Sequence, residues 1–331
     1  MRFESVQIDA WHGTIVPKLF RVPVLNYYKG VNLDAIIQSL SDTLILEIIN
    51  AIGLPKTESV RRIFDLLFHK AAGRLAAIGV TFDRLIVSDG FPSACAWALT
   101  NWCRDITARG SGTVPQTGPL LVISNHAGAY DSVVIASLLG RNDLKFIASD
   151  VAFLKNLPYT SEHFLYVSED NAYDRMAAAR SAIRHLHGGG ALLLFGTGLI
   201  DPDPAVYLGA EKEIENWSSS IDLFLRQVPD AKVVVTIISG IVSPGWARHP
   251  VTWLKRIPWQ KRRLAEFGQV LQQLFFPGRL YVSPRLSFAP PVSVADLRRE
   301  SGTNRVLPVV IARGKVLMDE HIIWIKSLQE Q

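Results

Sequence analysis

Leu120-Leu-Val-Ile-Ser-Asn-His-Ala-Gly-Ala-Tyr-Asp131 is the stretch on which the reading of this chain turns. Residues 120–124 form an apolar run too short for a helix, and nothing in them alternates. That pattern fits a strand buried on both faces, as in a parallel sheet covered by helices. Asn125-His126 then stands at the strand's carboxyl end, and Asp131 opens the helix that follows. Open α/β sheets gather their ligands at that end, so the histidine is placed where chemistry usually occurs. A carboxylate beside an imidazole fixes its tautomer and stabilises the imidazolium formed on proton uptake, which a general base requires. Taken alone, the spacing reads as readily as a helix cap and a helix-opening acid. Context has to decide.

Downstream, short β-rich runs alternate with helical ones. Strands are expected at Leu144–Ala148, Phe164–Val167, Ala191–Phe195, Lys232–Ser239 and Leu280–Phe288. Helices are expected at Ser132–Leu139, Ala172–His187, Ile221–Gln227 and Lys261–Leu274. The alternation predicts an α/β fold with a largely parallel sheet flanked by helices. Upstream, residues 1–110 read as a helical N-terminal region. One helix follows Asn32 and stops at Gly53 and Pro55, and a second opens behind Thr57 and ends at Gly79. A third runs from Pro92 to Ile106. The turn-rich stretch Gly110–Gly118 marks a boundary, giving an α/β domain over 111–300 and a C-terminal helical segment over 301–331.

The bulk numbers set limits. Of 331 residues, 48% are hydrophobic, enough for a large core and too many for a disordered chain. Thirty-five Lys and Arg against 30 Asp and Glu leave a formal +5, which suits anionic partners without choosing among them. No nucleic-acid-binding motif is found, so no nucleic-acid partner is expected. The two cysteines, Cys95 and Cys103, lack metal-ligand spacing and point to a reducing cytosol. No metal or cofactor is expected. The opening residues show no secretory leader, and apolar runs such as Val233–Val242 fall short of the roughly 20 residues that span a bilayer.

The site stretch resembles the glycerolipid acyltransferases, the family of glycerol-3-phosphate and 1-acylglycerol-3-phosphate acyltransferases. Their signature Asn-His-x4-Asp matches Asn125-His126-Ala-Gly-Ala-Tyr-Asp131 behind a short apolar strand. Val114-Pro115 and Gly118-Pro119 are similar to the family's lead-in, and Lys145–Ser149 to its second strand. The block from Tyr166 through Gly188-Gly189-Gly190 to Gly198 follows its third region, Val233–Ser239 its fourth, and Leu286–Pro291 its late strand. The likeness covers about 114–295. It implies that His126 takes a proton from an acceptor hydroxyl as that oxygen attacks an acyl thioester, either acyl-CoA or an acyl-carrier protein. Asp131 orients His126, and Asn125, Gly196, Thr197 and Gly198 bind substrate. No Gly-x-Ser-x-Gly nucleophile elbow is present, in keeping with direct transfer. Two alternatives remain open: a silent lipid- or carrier-binding protein on the same scaffold, and a thioesterase-like hydrolase.

The departures bear on the acceptor. Where the family reads Phe-Pro-Glu-Gly-Thr-Arg, this chain reads Phe195-Gly-Thr-Gly-Leu-Ile200, with Thr197 nearest the lost acid and Ile200 in place of arginine. Ser149 replaces a common lysine, Ser168-Glu169-Asp170 falls where an arginine is usual, and Asp201 and Asp203 add negative charge. Cations at those places grip a phosphate in the family. Arg141, Arg175 or Arg180 would have to replace them. A lipid or polyol hydroxyl without a phosphomonoester is the expected acceptor.

Residues 246–263 hold three tryptophans and six Lys or Arg with no acid. Tryptophan favours the headgroup zone and cations favour anionic lipid. Trp246, Trp253, Lys255, Arg256 and Trp259 are the expected contacts of a cytoplasmic protein peripheral to the inner face of the membrane. A basic loop with tucked-in tryptophans is the plain alternative.

Overall fold

The computed structural model describes residues 5–9, 28, 30, 32–51, 54–167 and 171–329, and its chain follows an α/β course. β1 (Ser5–Asp9) precedes three helices, α1 (Leu33–Ala51), α2 (Glu58–Asp89) and α3 (Phe91–Leu99), and then β2 (Asp105–Arg109). β3 (Leu120–Ser124), α4 (Asp131–Leu139) and β4 (Leu144–Ser149) follow, with short helices α5 (Ala152–Lys155) and α6 (Pro158–Ser161) before β5 (Phe164–Val167). Next come α7 (Ala172–His187), β6 (Ala191–Phe195), α8 (Ser220–Gln227), β7 (Lys232–Ser239), α9 (Pro244–Ala247) and α10 (Pro258–Phe275). β8 (Arg285–Phe288), β9 (Val292–Ser293), α11 (Val294–Ser301) and α12 (Leu307–Gln329) end the fold.

The strands form one sheet in the order β1-β2-β8-β7-β3-β6-β4-β5, with β9 beside β7. From β7 to β5 every neighbouring pair is parallel, while β8 runs against β7. β3 is fully buried because alternate side chains enter two cores. Leu120 and Val122 meet α3 and α4, and Leu121 and Ile123 meet α7, α8 and α12. At about 2–5 kcal/mol lost per buried leucine cut to alanine, such a strand has no face to give to water.

Several expectations give way to tertiary packing. α2 does not stop at Gly79 but runs on to Asp89, and Gly90 at φ +85° ends it. Gly79 is a contact glycine, because a Cβ there would lie 2.7 Å from the Phe153 ring. The third helix ends at Leu99, and Ile106 lies in β2, a strand between β1 and β8, where it pairs with Ile8. Gly110–Gly118 joins β2 to β3, two strands of one sheet. α12 likewise belongs to the core: His321, fully buried, bonds Ser239 Oγ through Nε2 and Ser287 Oγ through Nδ1, both at 2.8 Å. Burial drives that imidazole down to about 3, so it is neutral. The late strand is shorter than Leu280–Phe288, since Pro284 has no N–H for the ladder. Gly53 and Ser168-Glu169-Asp170 lie outside the described residues.

Buried carboxyls fasten the frame. Asp83 of α2 accepts from the Thr160 amide and hydroxyl and from the Tyr28 hydroxyl, tying α2 to α6. Asp203 accepts from the backbone N–H groups of Gly240, Ile241 and Val242 at 2.7–3.0 Å, and from Ala205. Asp203→Ala leaves those amides without a partner and is expected to cost roughly 3–5 kcal/mol in urea unfolding. A loss below about 1 kcal/mol would refute this account of the β7 end.

Candidate active site

β7, β3 and β6 are adjacent and parallel, so their carboxyl ends open on the same edge of the sheet. At that edge Asn125 is buried, and its amide serves backbone on both sides. Nδ2 donates to Ile238 O and Oδ1 accepts from Ile238 N, each at 2.9 Å. Asn125 thus holds the end of β3 against β7, using one of its two N–H donors and one lone pair of Oδ1 for that structural task. His126 follows, and its backbone N–H donates to Asp201 Oδ2 at 2.9 Å. The returning bond, Asp201 N–H to His126 O, is 2.7 Å.

The His126 ring is held at one edge and on one face. Nδ1 lies 2.7 Å from Asp131 Oδ2. A carboxylate only accepts, so Nδ1 carries the proton and Nε2 has no partner among the described residues. Asp131 is buried and also accepts from the N–H groups of Gly128 at 3.0 Å and Ser132 at 2.6 Å. Phe195 stacks on the imidazole with centroids 4.3 Å apart and planes 16° apart. The ring is therefore fixed in plane and tautomer while about a quarter of the side chain, 27%, stays exposed.

A further acid comes from α10. Glu266 is buried at 8% exposure, and although the Ala129 N–H lies beside its carboxyl, its Oε1 makes no well-formed hydrogen bond among the described residues. A Cβ on Gly128 would lie 2.5 Å from that oxygen, so only glycine lets the carboxyl reach the loop between His126 and Asp131. Glu266 carries no local motif, and only α10's docking brings it here. Gln269 and Arg262 of the same helix also reach the site's edge. Gln269 accepts from Ser243 N–H and donates to Ile241 O, and Arg262 Nε donates to Ile200 O at 2.8 Å.

The third motif is mostly architecture. Gly196 donates to Ser124 O at 2.8 Å and lies against Trp217, whose ring a Cβ would strike. Thr197 Oγ1 donates to Asp201 Oδ1 at 2.7 Å, and Gly198 forms an exposed turn at φ +69°. Gly196 is therefore no open ligand contact, and neither Asp201 nor Asp203 confronts an incoming acceptor, since both are buried and bonded to the fold. Arg141 is not available to a phosphate either. Its guanidinium holds the carbonyls of Pro115, Gly118 and Gly189 and the Asp143 carboxylate, beyond the other end of β3. Arg180 lies over the Tyr173 ring. His185 bonds the carbonyls of Asp143 and Ala191. Among the described residues no group of His, Cys, Asp or Glu is arranged to hold a metal ion.

No family model and no curated protein sequence matches this chain. Among solved structures, it is similar to the crystal structure of the 1-acyl-sn-glycerophosphate (LPA) acyltransferase from Thermotoga maritima. Identity is 16%, the match covers 87% of this chain and 97% of that one, and the TM-score is 0.41.

The charges around His126 set its protonation. Burial pulls the imidazole down, but Asp131, with Glu266 and Asp201 behind it, outweighs burial and lifts it to about 9. Burial raises Glu266 to about 8 and Asp201 to about 6. The stabilisation from the paired imidazolium is complete below the ordinary 6.5 and is lost as pH rises through about 9. Neutral base accumulates over that same rise. An NMR titration of the His126 ring is expected to show a midpoint near 9, moving down in Glu266→Gln because a carboxylate that favours the cation is gone. A midpoint near 6.5 in the unaltered protein, or none of that movement in the variant, would contradict this electrostatic picture.

Proposed function

We propose that this chain is an acyltransferase, moving an acyl group from a thioester, acyl-CoA or acyl-carrier protein, to a hydroxyl of a lipid or polyol. The observation that carries this reading is the His126 Nδ1–Asp131 contact of 2.7 Å at the carboxyl end of β3, with Nε2 left for substrate. In the proposed step Nε2 takes the hydroxyl proton as the acceptor oxygen bonds to the thioester carbonyl carbon. The tetrahedral intermediate expels the thiolate, the carbon–sulfur bond breaks, and the imidazolium returns the proton to sulfur. Asp131 holds the ring and balances its positive charge. No cofactor is needed in this scheme, and no acyl-enzyme forms.

The site operates at a membrane surface in this reading. No described helix is long and apolar enough to cross a membrane. Trp253, Leu254 and Ile257 are exposed at 73%, 77% and 47%, with Lys255 and Arg256 between them. Apolar side chains held in water beside cations suit an anionic lipid surface. Trp246, expected among the contacts, stands apart. It is half-buried, donates Nε1 to Gln272 at 2.5 Å, stacks on His249 and lies over Gly268. It joins α9 to α10. Trp259 is also half-buried, at the first turn of α10.

Two outcomes are expected. His126→Ala and Asp131→Ala each lower acyl transfer about 100- to 10,000-fold with circular dichroism unchanged, and retention of more than a tenth of the rate by either folded variant would refute the assignment. Thiol release measured with and without acceptor separates the classes: release only with acceptor marks a transferase, release without it a hydrolase, and none a silent binder. Second, binding to anionic vesicles is expected to weaken at 1 M salt, where the Debye length is about 3 Å, and to weaken further in Trp253→Ser/Leu254→Ser. Binding that is indifferent to both salt and these changes would remove the membrane surface from the proposal.

A further inference from the structure

Glu266, whose Oε1 is buried beside Gly128, also lines a groove that the reaction above does not use. α1, α2 and α10 enclose a cleft of about 290 Å³ lined by Leu44, Phe68, Leu75, Val270 and Leu274, with Glu266 and Ala129 among its lining residues. Ala129 is three residues from His126, so the cleft and the catalytic loop share a wall. Almost all of that lining is apolar, which suits a hydrocarbon chain. A buried carboxyl oxygen with no partner is costly, and each such group in a folded protein calls for an explanation. Gly128, whose Cβ would strike that oxygen, shows that the loop is shaped around the carboxyl.

Resting on the acyl-transfer reading, we propose that Glu266 is a specificity-determining residue, and that its Oε1 accepts a hydrogen bond from a second donor beside the hydroxyl to be acylated. The acceptor is then a single-chain lipid whose tail lies in the cleft and whose head carries two neighbouring donors and no phosphate. A vicinal diol and a 2-amino alcohol share that chemistry. A phosphomonoester does not, because as a dianion its oxygens only accept, so it brings Oε1 no donor and adds negative charge beside Asp131. Arg263 lines the mouth of the cleft, and Arg262 is tied to Ile200 O on the third-motif loop. Neither makes an ion pair with Glu266 among the described residues, and its Oε1 has no hydrogen-bond partner there.

Binding and turnover are read separately, so that this inference and the acyl-transfer reading can fail independently. Calorimetry on His126→Ala protein, which does not turn over, compares monoacylglycerol, a long-chain 2-amino alcohol, a simple alkanol of equal length and lysophosphatidate. The two-donor lipids are expected to bind about tenfold more tightly than the alkanol and lysophosphatidate. Adding Glu266→Ala is expected to bring that ratio to within about twofold, whereas Glu266→Gln, which keeps an acceptor oxygen, preserves the preference for the diol and weakens that for the amine. In turnover by otherwise unaltered protein, Glu266→Ala raises KM for the two-donor lipids more than it lowers kcat. Equal binding of alkanol and diol, tightest binding of lysophosphatidate, no binding of any lipid, or an unchanged ratio in Glu266→Ala would each overturn the inference. Discrimination by binding with no thioester consumption would instead leave Glu266 its role and remove the acyl-transfer reading.

Discussion

Where β3, β6 and β7 end together, their last peptide groups have no further ladder to join, and side chains must take them up. Asn125 serves both backbone groups of Ile238, Asp201 ties the third-motif loop to His126 through two bonds, and Asp203 collects three successive amides beyond β7. These contacts fix where the His126 backbone lies, and hence where its ring can go. The acidic residues after β6 are therefore chiefly fasteners. Their burial removes them from the list of charges an acceptor would meet.

Upon that anchored edge the chemistry is a matter of a few ångströms. Asp131 comes from the first turn of α4 and is held by two backbone amides, so its carboxylate is aimed before His126 needs it. Phe195, at the end of the next strand, supplies the stacking plane. An imidazole so braced keeps one nitrogen without a partner among the described residues, the arrangement that the proposed proton transfer needs. Gathering Asp131, Asp201 and Glu266 around one imidazole favours its cation.

α10 connects the proposed surface to the site. Its amino end follows the exposed Trp253–Ile257 segment, and its middle carries Arg262, Glu266 and Gln269 to the loops beyond β3, β6 and β7. Gly268 accepts the Trp246 ring, and Gly128 accepts the Glu266 carboxyl, so close approach is built in on both sides of the helix. A lipid acceptor entering from that side would meet an apolar wall before a polar one.

Much of this was legible in the residues alone. β3, α4, β4 to β7 and α7 follow from short apolar runs and 3.6-residue periodicity, because those elements are buried in ways their own composition records. The His126–Asp131 pair was legible too, since both partners belong to one strand–loop–helix unit. Other features required the tertiary structure because the physics is non-local. Gly79 reads as a helix stop, yet it is a seat for Phe153. Ile106 reads as helix, yet it lies in a strand where it pairs with Ile8 of β1, while Thr107–Arg109 beside it pair with β8, more than 170 residues away. Asn125 reads as a ligand contact, and only the fold shows that its amide also braces both backbone groups of Ile238; Arg141 reads as a spare cation until three carbonyls are seen to hold it. Glu266 had no signal in its own neighbourhood. Its meaning lies in an oxygen left without a partner beside a glycine far away in the chain, and only the packed structure brings those two together.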